Sequence, residues 1–127
     1  MKNRASSIAL AAAFTALLAG CATIAPSPAK TVDGALVNDA GMTLYTFDRD
    51  VGGSGKSVCN WPCAVNWPPL RATTDTPPNA AWQIVTRDDG SKQWAYQGKP
   101  LYTWLKDTKP GDRTGDGVNN AWRVARP

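Results

Sequence analysis

The sequence contains no histidine, and all ten of its acidic residues are aspartates, because glutamate is absent as well. Without imidazole, Ser-His-Asp and Cys-His nucleophiles, His-containing zinc sites and haem with a proximal histidine are excluded. Charge is also scarce, with 14 Lys+Arg against 10 Asp+Glu in 127 residues. The length is that of one small globular domain, and so small an excess of positive charge predicts no nucleic-acid partner.

Long hydrophobic runs are missing too. The longest apolar run covers residues 8–18, which is too short to span a bilayer, since that takes about 20 residues. It follows Lys2 and Arg4 and leads into an Ala-Gly-Cys sequence that ends at Cys21. This pattern predicts a signal peptide over residues 1–20. Its removal would leave a net charge of only about +2.

The end of this segment, Leu18 followed by Ala-Gly-Cys, resembles the bacterial lipobox. The resemblance implies that Cys21 becomes the first mature residue and carries lipid on its sulfur and amino group. Two or more acyl chains give a durable anchor, so a membrane is the first expected partner. Ala22 in place of aspartate, by resemblance to Gram-negative sorting rules, favours the periplasmic leaflet of the outer membrane. The alternative is a soluble secreted protein that is cleaved elsewhere.

Cysteine is rare, and once Cys21 is assigned to lipid only Cys59 and Cys63 remain. Export makes a disulfide between these two the default expectation. A redox-active dithiol, or a copper(I) site with Met42 as third ligand, is the alternative. The spacing has three residues between the cysteines, unlike the two of thioredoxin-like proteins.

The rest of the sequence is a doublet. Residues 41–50 and 98–107 share Gly, Leu, Tyr, Thr, an aromatic residue and Asp in the same order, at an offset of 57. Trp67 and Trp122 correspond at an offset of 55. We therefore expect a tether over residues 21–30 and one domain over residues 31–127. Its halves, about 31–72 and 81–127, should pack on each other about a pseudo-twofold axis.

The hydrophobic periodicity within each half is two, which is typical of strands. Residues 82–87, a hairpin turn at 88–90, residues 91–96 and residues 101–105 predict a three-stranded meander. Residues 35–37 and 43–47 repeat the pattern in shorter form. No mature segment has a helical apolar pattern of ten residues, and there are 11 glycines and 10 prolines. The predicted fold is an all-β, small antiparallel-sheet domain with long irregular loops.

The two copies of the motif have the form Y-x-[FWY]-x-x-D, and its defining residues are Tyr45, Phe47, Asp50, Tyr102, Trp104 and Asp107. They resemble the signature of a bacterial family of predicted secreted lipoproteins, described as a secreted repeat of unknown function. The segments around Cys59, Trp67, Pro110 and Trp122 extend the resemblance to residues 36–127. It implies a lipoprotein of the cell envelope and brings no established reaction.

The motif has two interpretations. On a strand Tyr45 and Phe47 project to one face and Leu44 to the other, as expected for core residues, and Asp50 and Asp107 would cap the following loops. Alternatively, an exposed aromatic face beside the aspartates binds a sugar, quinone or peptide. An acid–base pair of Asp50 and Asp107 is the one enzymatic candidate, and we expect no enzyme.

The loop after the second motif carries Asp107, Asp112 and Asp116 among glycines. Carboxylate oxygens suit Ca²⁺, although the spacing is not that of an EF-hand, and a solvated turn is the alternative. The sequence therefore predicts a lipid-anchored envelope protein that is structural or binds an envelope protein or small ligand. No cofactor is expected, apart from this speculative Ca²⁺ site.

Overall fold

The computed structural model describes residues 11–13 and 26–127. The predicted lipidation site at Cys21, most of the signal peptide and the first part of the tether lie outside the described residues. Within the described ranges, no helix is both long enough and apolar enough to cross a membrane.

Short strands make up most of the regular structure, and none in the described ranges exceeds five residues. In chain order they are β1 (Lys30–Val32), β2 (Ala35–Val37), β3 (Tyr45–Phe47), β4 (Trp82–Thr86), β5 (Lys92–Tyr96), β6 (Lys99–Pro100) and β7 (Trp122–Val124). Two single helical turns, α1 (Cys63–Asn66) and a 3-10 turn (Val118–Asn120), interrupt the long loops. All strand pairs are antiparallel, which confirms the predicted all-β class.

The second half contains the predicted three-stranded sheet, in the order β4-β5-β6. Its hairpin closes where the Arg87 amide donates to the Ser91 carbonyl at 2.8 Å, and Gly90 adopts a φ of 83° that suits glycine. The sequence predicts the third strand over residues 101–105, whereas the structure places it just before them, at Lys99–Pro100. It ends at Pro100 because the chain then leaves this sheet to pair with the first half, where Tyr102 bridges to Tyr45.

The packed domain begins earlier than the predicted start at residue 31. Ala29 is buried, and Lys30 is the first residue of β1, paired with Val37 of β2. These two positions were assigned to the tether because Ala and Lys beside prolines resemble a linker. Their contacts are with β2 and the core, which a local pattern does not show.

The two halves exchange strands. β7 of the second half pairs with β3 of the first, with Tyr45 opposite Val124. In return, the segment 68–70 of the first half lies against the second motif, where the Leu70 amide donates to the Leu101 carbonyl at 2.9 Å. Each half therefore completes the sheet of the other, which gives the pseudo-twofold arrangement a physical basis.

Two hydrophobic cores lie on opposite sides of the motif strands, as the period-two pattern predicts. One contains Tyr45, Phe47 and Tyr102, and the other contains Leu44 and Leu101. Every buried member of both cores falls between residues 29 and 125. A protein that begins at residue 22 therefore keeps both cores complete.

Candidate functional site

The two copies of the motif meet at their tyrosines. The Tyr45 amide donates to the Tyr102 carbonyl at 2.8 Å, and the Tyr102 amide donates to the Tyr45 carbonyl at 3.0 Å. This reciprocal pair is an antiparallel bridge between equivalent residues of the two halves. The pseudo-twofold axis therefore passes between the two tyrosines.

The motif side chains also form hydrogen bonds between the two halves. The Tyr45 hydroxyl donates to Oδ2 of Asp107, and the Tyr102 hydroxyl donates to Oδ2 of Asp50, both at 2.5 Å. Each tyrosine thus bonds the aspartate of the other half, and we call these four residues the tyrosine–aspartate joint. Burial, and then the bond to a carboxylate, raise the pKa of both tyrosines far above the ordinary value. The joint therefore holds neutral phenols at any physiological pH.

Four aromatic rings stack beside the joint. They stand in the order Trp104, Trp67, Trp122 and Phe47, with centroid separations of 3.9, 3.7 and 4.3 Å. Tyr45 contacts Trp67 edge-on at 5.5 Å, and Tyr102 contacts Trp122 edge-on at 5.1 Å. The two central tryptophans come from different halves, so the stack joins the halves through aromatic packing.

The alternative of an exposed aromatic binding face does not hold for these residues. Both tyrosines, Phe47, Asp50 and Asp107 are buried. Trp104 is half-buried, and the Lys106 ammonium lies 5.8 Å from its ring centroid. Aromatic residues at alternate positions of a strand favour a core and an exposed platform equally, and here the strand exchange covers both faces.

Asp50 and Asp107 cap the loops that follow them, as predicted. Oδ1 of Asp50 accepts the Val58 amide at 2.8 Å, and Oδ1 of Asp107 accepts the Thr114 amide at 3.0 Å. The two carboxylates bond different tyrosines and cap different loops. Burial raises the pKa of Asp50 above its ordinary value, while its hydrogen bonds oppose the change.

A buried arginine that no sequence pattern indicates supports the Tyr102–Asp50 pair of the joint. The Arg87 guanidinium donates to Ser57 Oγ at 2.9 Å, to Gln93 Oε1 at 2.7 Å and to the Cys59 carbonyl at 2.5 Å. Because the Tyr102 hydroxyl gives its only proton to Asp50, the Ser57 hydroxyl is the donor of the 2.6 Å bond between them. Arg87 precedes a polar hairpin turn, where an arginine is normally solvated. Arg87 differs from such a solvated arginine only in its hydrogen-bond partners, Ser57, Cys59 and Gln93, and a local sequence pattern does not show these.

The loop over residues 50–63, here the first-half loop, is held at several points and exposes apolar side chains. A disulfide joins Cys59 to Cys63, which confirms the predicted pair. Trp61 between them is 84% exposed. Val58, Val65 and Leu105 are each more than half exposed, and the Leu105 amide donates to the Asn66 carbonyl at the end of α1. We call Val58, Trp61, Val65 and Leu105 the tryptophan platform.

Comparison with known proteins gives one family. A family model described as a secreted repeat of unknown function matches residues 27–71 and 83–126. The chain belongs to this family of secreted repeats. The two matched segments are the two halves that exchange strands, and the family's secreted character indicates an extracellular or envelope protein. No curated protein and no solved structure matches the chain significantly.

The secreted-repeat chain folds its second-half loop, residues 107–118, around its own aspartates. Oδ2 of Asp112 accepts the amides of Thr108 and Lys109, and Oδ1 of Asp116 accepts the Val124 amide. These bonds hold the pKa of Asp112 below its ordinary value. Across residues 11–13 and 26–127, no three potential ligands lie close enough to hold a metal. Asp107, Asp112 and Asp116 are therefore not brought together as a Ca²⁺ site.

A glycine of this loop is required by the joint. The Gly115 amide donates to the Tyr45 hydroxyl at 3.2 Å, and a Cβ on Gly115 would lie 2.9 Å from ring atoms of Tyr45 and Trp67. Real Cβ atoms do not approach so closely, so any side chain here would displace the stack.

An open groove of about 540 Å³ lies between α1 and the 3-10 turn. Trp67, Trp122 and Phe47 form its floor, and Val58, Cys63 and Arg49 border it. The groove therefore adjoins the tryptophan platform, with ring atoms of the stack below and one cation at the rim.

Proposed function

We propose that this secreted-repeat protein is a lipid-anchored, non-enzymatic module of the bacterial cell envelope that works by binding a partner through the tryptophan platform. One contrast carries the proposal. The tyrosines and aspartates of the motif are buried and bond one another in the joint, so they do not face a partner. The first-half loop, in contrast, is held in place and exposes 84% of Trp61 to solvent.

A non-enzymatic role is supported by the state of the buried polar groups. Within the described residues, no buried side-chain nitrogen or oxygen lacks a hydrogen-bond partner. Catalytic groups must be within reach of the substrate, and the motif carboxylates instead bond tyrosines and loop amides inside the core. The joint therefore has the properties of a fold-holding network.

A binding role is supported by the contacts that fix the loop carrying the exposed tryptophan. The loop that carries Trp61 is closed by the disulfide and fixed by Arg87 at the Cys59 carbonyl and by Asp50 at the Val58 amide. A backbone that is already fixed before binding loses less entropy on association. A large, exposed aromatic residue on a fixed backbone is typical of an interface anchor.

The anchor itself is proposed from the lipobox resemblance at Cys21, with the periplasmic leaflet of the outer membrane as the site in a Gram-negative cell. The chain from Cys21 to the buried Ala29 can span at most about 28 Å. A domain of this size is about 30 Å across. All of its surfaces would therefore stay within a few tens of ångströms of the bilayer.

The anchor is tested by feeding producing bacteria a fatty acid that carries an alkyne. The full chain should incorporate the label and fractionate with membranes, whereas Cys21→Ser should do neither. The matched control is Cys59→Ser with Cys63→Ser, which should still be labelled. Labelling of the Cys21→Ser protein would overturn the proposed anchor.

The binding role is tested in the same cells with a photoreactive amino acid in place of Trp61. We expect a cross-linked adduct with a protein, glycan or lipid, identified by mass spectrometry, from position 61 and none from position 32, where Val32 is also about half exposed but lies on β1. Equal products from both positions, or none from either, would contradict a role for the platform.

A further inference from the structure

We infer that the tryptophan platform docks on the surface of an anionic lipid bilayer. The inference rests on the proposed function and names its partner: the membrane to which the lipid would already hold the protein.

The charge around the platform is the first reason. Lys56 precedes the loop segment at Ser57, Lys106 follows Leu105, and Arg49 borders the groove beside Val58. No salt bridge involves any of these three cations in the part of the chain that the structure describes. The rim of the platform is therefore positively charged and complementary to anionic headgroups.

The nearby carboxylates do not cancel this charge. Asp50 and Asp107 are buried in the joint, and Asp48 is paired with Arg123 at 3.1 Å. Asp88 is exposed and accepts a hydrogen bond from the Asn60 side chain at 3.0 Å. Its neighbour in the hairpin turn, Asp89, is exposed as well. Against the three cations these two carboxylates leave an excess of one positive charge at this end of the domain.

The chemistry of the platform is the second reason. Val58, Val65 and Leu105 are aliphatic, and their backbone amides donate hydrogen bonds within the fold. A sugar site needs hydrogen-bonding side chains beside its aromatic ring, whereas a bilayer interface accepts a tryptophan with aliphatic neighbours and flanking lysines. The composition of the platform is thus that of an interfacial anchor.

The proximity of the bilayer is the third reason. A patch of one tryptophan, three aliphatic residues and three cations binds a bilayer weakly by itself. On a protein already tethered to the membrane, the second contact is intramolecular, so a weak affinity is sufficient to hold the domain against the surface. Docking would fix which face of the domain points away from the membrane.

The test uses unlipidated protein that begins at residue 22, which keeps both cores. It is sedimented with vesicles of phosphatidylcholine alone, or with one quarter phosphatidylglycerol, while tryptophan fluorescence is recorded. We expect binding to the anionic vesicles only, with a blue shift, and weaker binding at high salt. Trp61→Ala should reduce the affinity about tenfold or more, and Trp61→Phe should restore most of it.

Charge variants and a matched control complete the experiment. Lys56→Gln and Lys106→Gln should each reduce the affinity about fivefold. Val32→Ala, at an exposed valine of β1, should leave it unchanged. Each variant is first shown to melt at the temperature of the unaltered protein, so a loss of binding cannot be a loss of folding.

Three outcomes would overturn the inference. These are no binding to anionic vesicles, equal binding of the Trp61→Ala protein, or Trp61-dependent binding to a purified envelope protein or glycan without vesicle binding. The last would leave the proposed function intact and change its partner. Failure of the proposed function is seen separately, in the cellular labelling at Cys21 and the cross-linking from position 61.

Discussion

The first-half and second-half loops start from the same motif and end differently. Asp50 and Asp107 each cap a loop and bond a tyrosine of the other half. The first-half loop is then held by a buried arginine of the second half and by its own disulfide, and it exposes Trp61. The second-half loop is closed by glycines and aspartates and exposes only polar side chains and Pro110.

The comparison separates what the repeat needs from what one copy has added. Shared residues (the tyrosines, the aspartates and the paired tryptophans) hold the halves together. The unshared ones, Arg87 and the two cysteines, fix the position of a single exposed aromatic residue. In this chain the signature residues of the family therefore form the scaffold, and the proposed binding surface lies where the copies differ.

The largest expected effect concerns the shared stack. Trp67→Ala and Trp122→Ala should each lower the free energy of unfolding by about 3–5 kcal/mol, because each removes a buried ring that contacts both halves. Trp61→Ala should change it by less than about 0.5 kcal/mol. Urea denaturation measures all three. A large loss for Trp61→Ala would show that this residue, too, belongs to the scaffold.

The second largest expected effect is a difference between the two aspartates of the joint in their contribution to the free energy of unfolding. Asp50→Asn should lower the free energy of unfolding by about 3 kcal/mol, because it removes the buried carboxylate near the Arg87 guanidinium and leaves only exposed aspartates close to that charge. Asp107→Asn should cost only about 1–2 kcal/mol, since Tyr45 and Thr114 are neutral partners. The comparison is made by urea denaturation of both variants at pH 7. Equal losses of unfolding free energy in the two variants would mean that Arg87 does not make Asp50 more important for stability than Asp107.

The disulfide belongs to one loop only. Replacing Cys59 and Cys63 by serine should lower the free energy of unfolding by about 2 kcal/mol, as expected for a closed loop of five residues. The cellular labelling at Cys21 should be unaffected. Thermal melts with and without a reductant provide the same comparison on the unaltered protein, and a melt insensitive to reductant would contradict the expected brace.

The smallest expected effect is on the pH dependence of the joint. In the unfolded chain tyrosines ionise near pH 10, and the native state holds their protons to higher pH, so stability must fall as pH rises above about 10. Each tyrosine should contribute about 1.4 kcal/mol per pH unit. Tyr45→Phe and Tyr102→Phe should each remove the contribution of one tyrosine to this dependence of stability on pH.

The matched control for the slope is Phe47→Leu, which weakens the stack without removing a phenol. It should lower the urea midpoint by a similar amount at every pH and leave the slope unchanged. A slope that persists in the protein lacking both phenols would assign the alkaline loss of stability to other groups.

Local patterns predicted much of this architecture. Alternation placed Leu44 and Tyr45 on opposite faces, the turn at Gly90 defined a hairpin, and the aspartates were expected to cap their loops. Each of these features depends on neighbours within a few residues. The pairing of Cys59 with Cys63 was predictable for the same reason.

Long-range features were not predictable from one sequence. Tyr45 lies 62 residues from the carboxylate that it bonds, and Arg87 lies 30 residues from Ser57. Nothing in the spacing indicates which aspartate a tyrosine will meet, because both halves offer the same residues at the same distance. The strand exchange, the buried arginine and the inclusion of Ala29 in the core therefore emerged only from the structure.

The strand exchange also sets an order of events in folding. β3 leaves the ribosome early during synthesis, whereas its partner β7 is the last strand of the described chain and leaves much later. Contacts so distant in sequence form slowly, and until they form β3 has an open edge. The first half therefore cannot be closed until β7, which lies far along the chain, is available to pair with β3.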